Sequence, residues 1–138
     1  MRISAIVLAS LLFSMPALAH DHQHPNFDAW YQGLTRPDTK GMMGYQGGSF
    51  SCCNKLDCHP TEAETRGNNW WARAVVTRNG EEIKLNWLQI PNEKVIRNKD
   101  NPTGYPVLCF APSWKQGSQT EVDPVYTTIY CFIPEAQI

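Results

Sequence analysis

Three of the four histidines in this 138-residue chain crowd together at His20, His22 and His24, just after the small-x-small run Ala17-Leu18-Ala19. A cut after Ala19 would leave a chain beginning His20-Asp21-His22. Its terminal amine, two deprotonated backbone amides and the His22 imidazole would form a square of nitrogens. A planar nitrogen set suits Cu(II) or Ni(II). Asp21 contributes a backbone amide, and His24 is placed to add a ligand or to hand the metal on. Met42 and Met43 are soft thioethers of the kind that hold Cu(I), and adaptable packing is the plainer reading of such a pair.

The local match to the amino-terminal copper and nickel motif is complete. A histidine at a mature amino terminus also resembles lytic polysaccharide monooxygenases, where that residue and a second histidine grip copper. The likeness covers His20 alone, and the distant partner would have to be His59. A site is argued from its geometry, so one residue carries little.

The second reactive set is sulfur: Cys52, Cys53, Cys58, Cys109 and Cys131. In an oxidising compartment such cysteines pair. The simplest frame ties two of the first three to Cys109 and Cys131, each loop contributing ~3–5 kcal/mol in the chain-entropy model. Direct Cys52–Cys53 bonding would be strained, because adjacent Cα atoms are closer than disulfides prefer. The odd cysteine is a thiol, is bound to something, or joins two chains as a dimer. Residues 53–59 also read C-x4-C-H, a rare variation on the haem-attachment signature of c-type cytochromes. The common spacing has two residues between the cysteines. That departure, together with the β-rich pattern, argues against haem. Cys58 beside His59 is a poor nucleophile and base, since neighbours on a strand point to opposite faces. No nucleophile elbow, phosphate loop or zinc-hydrolase motif occurs, and the reading is non-enzymatic.

Exported chains are where such cysteines belong, and the first residues look like an export signal. Arg2 is the positive end, residues 3–13 are the apolar run, and Ala17-Leu18-Ala19 is the cleavage pattern. The apolar run falls short of the ~20 residues that span a bilayer. Residues 1–19 therefore read as a cleavable signal peptide of bacterial length, pointing to a periplasmic or secreted protein. Loss of Arg2 leaves a mature net charge of about −2, with acids and bases interspersed. A nucleic-acid partner would want a basic stripe, and an anionic membrane surface would want the same. Neither is expected.

Aromatic side chains offer the alternative function. Trp70 and Trp71 are adjacent, so on a strand one faces in and the other out. Trp70 and Trp87 are assigned to the core, while Trp71 and Trp114 are candidates for a surface that stacks on a glycan or a protein partner.

The elements that must position these residues are short. Residues 20–25 form a polar His-rich leader, and residues 26–138 a single domain. Asn26 can cap a helix whose Phe27, Trp30, Tyr31 and Leu34 share one stripe. A Gly-rich loop fills residues 35–51. A weak strand over residues 61–65 and a turn at Gly67-Asn68-Asn69 follow. Next comes a strand with Trp70, Ala72, Ala74 and Val76 on one face. Asn79-Gly80 is a strong hairpin signal, and Ile83, Leu85 and Trp87 should continue the inner face. Segments 95–96, 105–110 and 127–133 are extended, with an irregular polar stretch over 111–124. The expected fold is mainly β: a small disulfide-stapled antiparallel sheet or partly open barrel with one short N-terminal helix.

The cysteine frame resembles small secreted proteobacterial proteins of no assigned function. The matching pieces are Ser51-Cys52-Cys53, Asp57-Cys58, residues 91–95, Asn101-Pro102-Thr103-Gly104 and Cys131-Phe132-Ile133-Pro134. The resemblance spans residues 50–134 and leaves out the His-rich leader. It implies a common exported fold and supplies no activity, cofactor or catalytic residue.

Overall fold

The alternating run around Trp70 builds the longest strand among the described residues. In a computed structural model, which describes residues 25–39, 50–53 and 57–135, it is β2 (Asn69–Arg78). Ala72, Ala74 and Val76 are buried, while Trp71, Arg73 and Val75 face outward and are half-buried. β1 (Cys58–Arg66) precedes it across a tight turn at Gly67-Asn68, and β3 (Glu81–Lys84) follows across Asn79-Gly80. Asn79 and Gly80 have φ of 53° and 81°, the left-handed pair that a type I′ turn requires.

Three further strands complete the described sheet: β4 (Leu88–Ile90), β5 (Val107–Ala111) and β6 (Thr128–Ile133). The order is β3-β2-β1-β5-β6, antiparallel throughout, with β4 on the same edge of β2 as β3. The sheet is open. Its β6 end is partly covered by a parallel bridge from Val95 to Phe132, reinforced by Ile96 N–H donating to the Phe132 carbonyl at 2.8 Å. At its other end, β3 presents exposed Glu81, Glu82 and Lys84.

β5 divides the interior. Leu108 and Phe110 enter one cluster with Ala72, Leu88, Ile90 and Phe132, whereas Val107 and Cys109 enter another with Tyr31, Leu34, Cys131 and Ile133. These four β5 side chains are fully buried, so both faces of the strand are covered. The second cluster is roofed by the N-terminal helix, α1 (Asp28–Gln32), which a 3-10 turn at Pro25–Phe27 leads into. Tyr31 and Leu34 are buried as their spacing predicts. Asn26 is not the cap, because the 3-10 turn moves the helix start to Phe27, where no side chain bonds the first N–H groups. Trp30 Nε1 instead donates to the Asp100 carbonyl at 2.8 Å, and Lys99 Nζ donates to the Gly33 carbonyl at 2.8 Å.

One expectation fails at Trp87. Lys84 pairs with Val75 but Leu88 pairs with Ala72, so the return strand spends one residue more than β2 over that interval. A one-residue slip sends each following side chain to the opposite face. Leu85 stays buried, and Leu88 and Ile90 take over the inner positions. Trp87 turns outward, and the Arg73 guanidinium lies 5.0 Å from its ring centroid.

Two polar knots fasten the irregular segments. Buried Asn101 donates from Nδ2 to the carbonyls of Tyr105 (2.9 Å) and Pro134 (3.0 Å), and its Oδ1 accepts from Thr103 N–H at 3.1 Å. This gives residues 101–104 a structural duty. The second knot is Asp38, in a 3-10 turn (Pro37–Thr39), which accepts from Lys94 Nζ at 2.6 Å and from Arg36 at 3.3 Å. Burial acts to raise the Asp38 carboxyl, but the hydrogen bonds and charges of Lys94 and Arg36 outweigh it and leave the pKa below the ordinary value. A lowered folded-state pKa stabilises above the unfolded pKa, near 3.9, and that stabilisation fades as pH falls through the folded value. Asp38→Ala is therefore expected to cost about 1.5–3 kcal/mol at pH 7, the range for hydrogen bonds to a charged group. Urea titrations should show the gap between variant and wild type closing below about pH 4.

Candidate functional site

Strand pairing places three cysteines in one row. Cys58 on β1 is the register partner of Cys109 on β5, and Cys109 is in turn the partner of Cys131 on β6. All three are buried in the second cluster. Cys52 reaches this row from the N-terminal side and joins Cys131, with Cα atoms 5.6 Å apart and a sequence separation of 79. The segment before Cys52 is aligned by Cys52 N–H donating to the Leu34 carbonyl and by a bridge between Thr35 and Ser51.

Two sulfurs lie against that of Cys58. One belongs to Cys109, with Cα atoms 3.9 Å apart, and the other to Cys53, with Cα atoms 5.9 Å apart. A sulfur makes one S–S bond, so these pairings are alternatives. The three Sγ atoms lie within 4.8 Å of one another, Cys53 half-buried and the other two buried. Cys52 with Cys131 and Cys58 with Cys109 stand at disulfide distance, in line with the expected frame, and Cys53 stands at that distance from Cys58 as well. The fifth cysteine sits against Cys58. Cys52 and Cys53 do not pair with each other. Among the described residues this is also the one group of His, Cys, Asp or Glu spaced to hold a metal ion. Three thiolates suit soft metals, provided that they are reduced. His59 points away from the sulfurs, and its ring packs edge-on against Phe110 at 5.5 Å. The cysteine–histidine pair is separated by the strand, as alternation requires.

On the outer face of β1 and β2 the indoles are stacked with guanidinium groups. Arg66 lies 4.6 Å from the Trp71 centroid and 5.0 Å from that of Trp87, and Arg73 covers Trp87 as well. Glu62 anchors the ladder by accepting from Arg73 and Lys84, at 2.5 Å each. Hydrogen bonds from Lys84, then Arg73, hold its carboxyl below the ordinary value. Trp71 is therefore half-buried beneath a cation. Trp114 packs on the first core cluster, bridges to Val122 and has Arg78 at 4.4 Å. Trp70 packs against the same cluster, 5.4 Å from Phe132.

The strongly exposed apolar side chains are others: Val125 at 81% and Tyr126 at 74%. They occupy the turn between the Trp114–Val122 bridge and β6, where Thr127 N–H donates to the Asp123 carbonyl at 2.9 Å. Sequence reasoning passed over them because they fall between a polar loop and a strand. Two apolar residues directly after Asp123-Pro124, a turn-forming pair, were the available signal. A cleft of about 530 Å³ also opens near Trp70, lined by Arg97, Lys99, Asp100 and Glu135. Its charges are mixed. The proposed ligands His20, Asp21, His22 and His24, and Met42 with Met43, lie outside the described residues.

Replacing Cys52 and Cys131 together by Ala should destabilise the oxidised protein by about 4–5 kcal/mol, the chain-entropy value for so long a loop. Calorimetry of the double variant against wild type measures it. A loss confined to a few tenths of a kcal/mol would mean that the cluster around Tyr31 holds without the bond.

No family model matches this chain, and neither the curated proteins nor the solved structures contain a match.

Proposed function

We propose that this chain is an exported, non-enzymatic binding protein whose ligand is Cu(II), chelated at the mature amino terminus. The observation that carries this reading is the placement of His22 as third residue after Ala19, where amine, amides and imidazole make a planar set of four nitrogens. Ni(II) suits the same geometry. The described domain adds indirect support: its metal-like cluster is sulfur at disulfide distance, and His59 packs on Phe110. Nitrogen ligation thus falls to His20, His22 and His24. A domain cross-linked through Cys52–Cys131 suits the oxidising compartment that the leader implies.

Cu(II) titration of the processed protein should give one equivalent with the visible absorption of a planar nitrogen site. His22→Ala, or one extra residue placed before His20, should abolish that band at stoichiometric copper. Unchanged binding in both variants would refute the chelate.

A second reading is a protein- or glycan-interaction module, and the exposure of Val125 beside Tyr126 favours it. An apolar pair held at a loop tip is placed to enter a partner's surface. Cross-linking in the native periplasm should then yield an adduct that Tyr126→Ser with Val125→Ser removes and His22→Ala leaves intact. An adduct indifferent to the loop pair would exclude this surface.

A further inference from the structure

The cleft beside Trp70 is, we propose, a binding site for short unblocked peptides: zwitterions with a free amine, a free carboxylate and one apolar side chain. Its volume of about 530 Å³ lies within the range of small-ligand sites. One wall is the irregular segment 96–101, and the other is the chain leaving β6 at Pro134 and Glu135. Trp70 and Ile96 give it an apolar lining. Trp70 packs on Phe132 yet stays half-buried, so part of the indole is open to the cleft.

The walls are fixed before any ligand arrives. Segment 96–101 is fastened at both ends to β6 and its exit, by Ile96 N–H donating to the Phe132 carbonyl at 2.8 Å and Asn101 Nδ2 to the Pro134 carbonyl at 3.0 Å. Between these points Lys99 Nζ holds the Gly33 carbonyl, and the Asp100 carbonyl is held by Trp30 Nε1, both at 2.8 Å. A chain tethered at four places has little freedom left to lose on binding, which favours affinity.

Charge selects the ligand. Arg97 and Lys99 bring two cations to the rim, and Asp100 and Glu135 bring two carboxylates, all four exposed. On the outer face of the sheet opposite charges pair off, Glu62 with Arg73 and Lys84, and Glu64 with Arg66. At the cleft, no ion pair joins any of the four to another described residue. A purely anionic ligand would meet two carboxylates of its own sign. A neutral glycan or an apolar molecule would cover the charges without answering them, and desolvating unanswered charge is unfavourable. A zwitterion answers both signs. The Arg97 guanidinium is a planar fork suited to a carboxylate, and Lys99 keeps donors beyond the one given to Gly33. The carboxylates of Asp100 and Glu135 can accept from an ammonium group, and the Trp70 ring offers an apolar side chain a surface to lie on.

The test is a titration of the nitrogen-15-labelled protein with unblocked Ala-Phe-Ala, followed by NMR. Saturable shifts are expected in the amides of residues 96–101 and in the Trp70 indole, with the Trp114 indole unmoved. Acetylating the peptide's amine, or amidating its carboxylate, should each raise Kd about tenfold, the loss of a hydrogen bond between charged groups. Arg97→Gln should weaken the unblocked peptide by a similar factor and leave the amidated one unaffected. Glu135→Gln should weaken the unblocked peptide and leave the acetylated one unaffected. Loss of the fold would weaken every peptide alike, so these pairings separate recognition from stability. Inorganic phosphate should not displace the peptide. Equal binding of blocked and unblocked peptides, displacement by phosphate, shifts confined to the Val125–Tyr126 loop, or no shift at millimolar peptide would each overturn the proposal.

Discussion

A row of sulfur atoms across three strands is the constraint on which this protein turns. Cys58, Cys109 and Cys131 sit at matched register positions on β1, β5 and β6. Register in a sheet is otherwise held by which face is apolar, and a one-residue slip reverses every side chain. In β5 that ordinary safeguard is weak, because both faces are apolar and fully buried. Sulfur pairing adds discrimination on one side of the strand, where Cys109 meets Cys58 of β1, while Cys131 ties β6 to Cys52 instead. A domain of this size buries a limited core, and covalent ties at its centre compensate for that.

The same row sorts the molecule's two sides. Below β5, α1 and the segment before Cys52 close over the cysteines, with Tyr31 and Leu34 as the packed weight. Above it, Phe110 and Phe132 meet the alanines of β2. Small residues there let Trp70 lie across the sheet onto Phe132. The outer face of β2 is polar in a different way from a solvated surface, since guanidinium groups and indoles alternate and one carboxylate fixes the end of the stack. Stacked in this manner, an indole stabilises the sheet and offers little open ring to a sugar.

Much of this was legible in the residues. Alternation around Ala72 and Ala74 identified the central strand and its inner face, and Asn79-Gly80 located its hairpin because few other dipeptides tolerate two positive φ angles. The spacing of Tyr31 and Leu34 marked the helix's buried side. What escaped was whatever depends on a single inserted residue. Trp87 fits an unbroken alternation from Ile83, and nothing local to Asn86 announces that the register shifts there. Which early cysteine meets which late one was equally hidden, since pairing depends on strand order and not on spacing. The exposed pair at Val125 and Tyr126 was missed for a similar reason: exposure belongs to the path of the chain around a loop, and composition does not record it. The histidines are the reverse case, a chemical proposition made by sequence alone.

The two ends of the open sheet are finished in unlike ways. One carries the acidic and basic side chains of β3, and the other is screened by the chain's own Val95-Ile96 segment. Unpaired strand edges are templates on which further copies can add, and charge or steric cover blunts them. Ends that do not match each other also give head-to-tail stacking no repeat to propagate. Such a protein can be concentrated without zipping edge to edge into fibres.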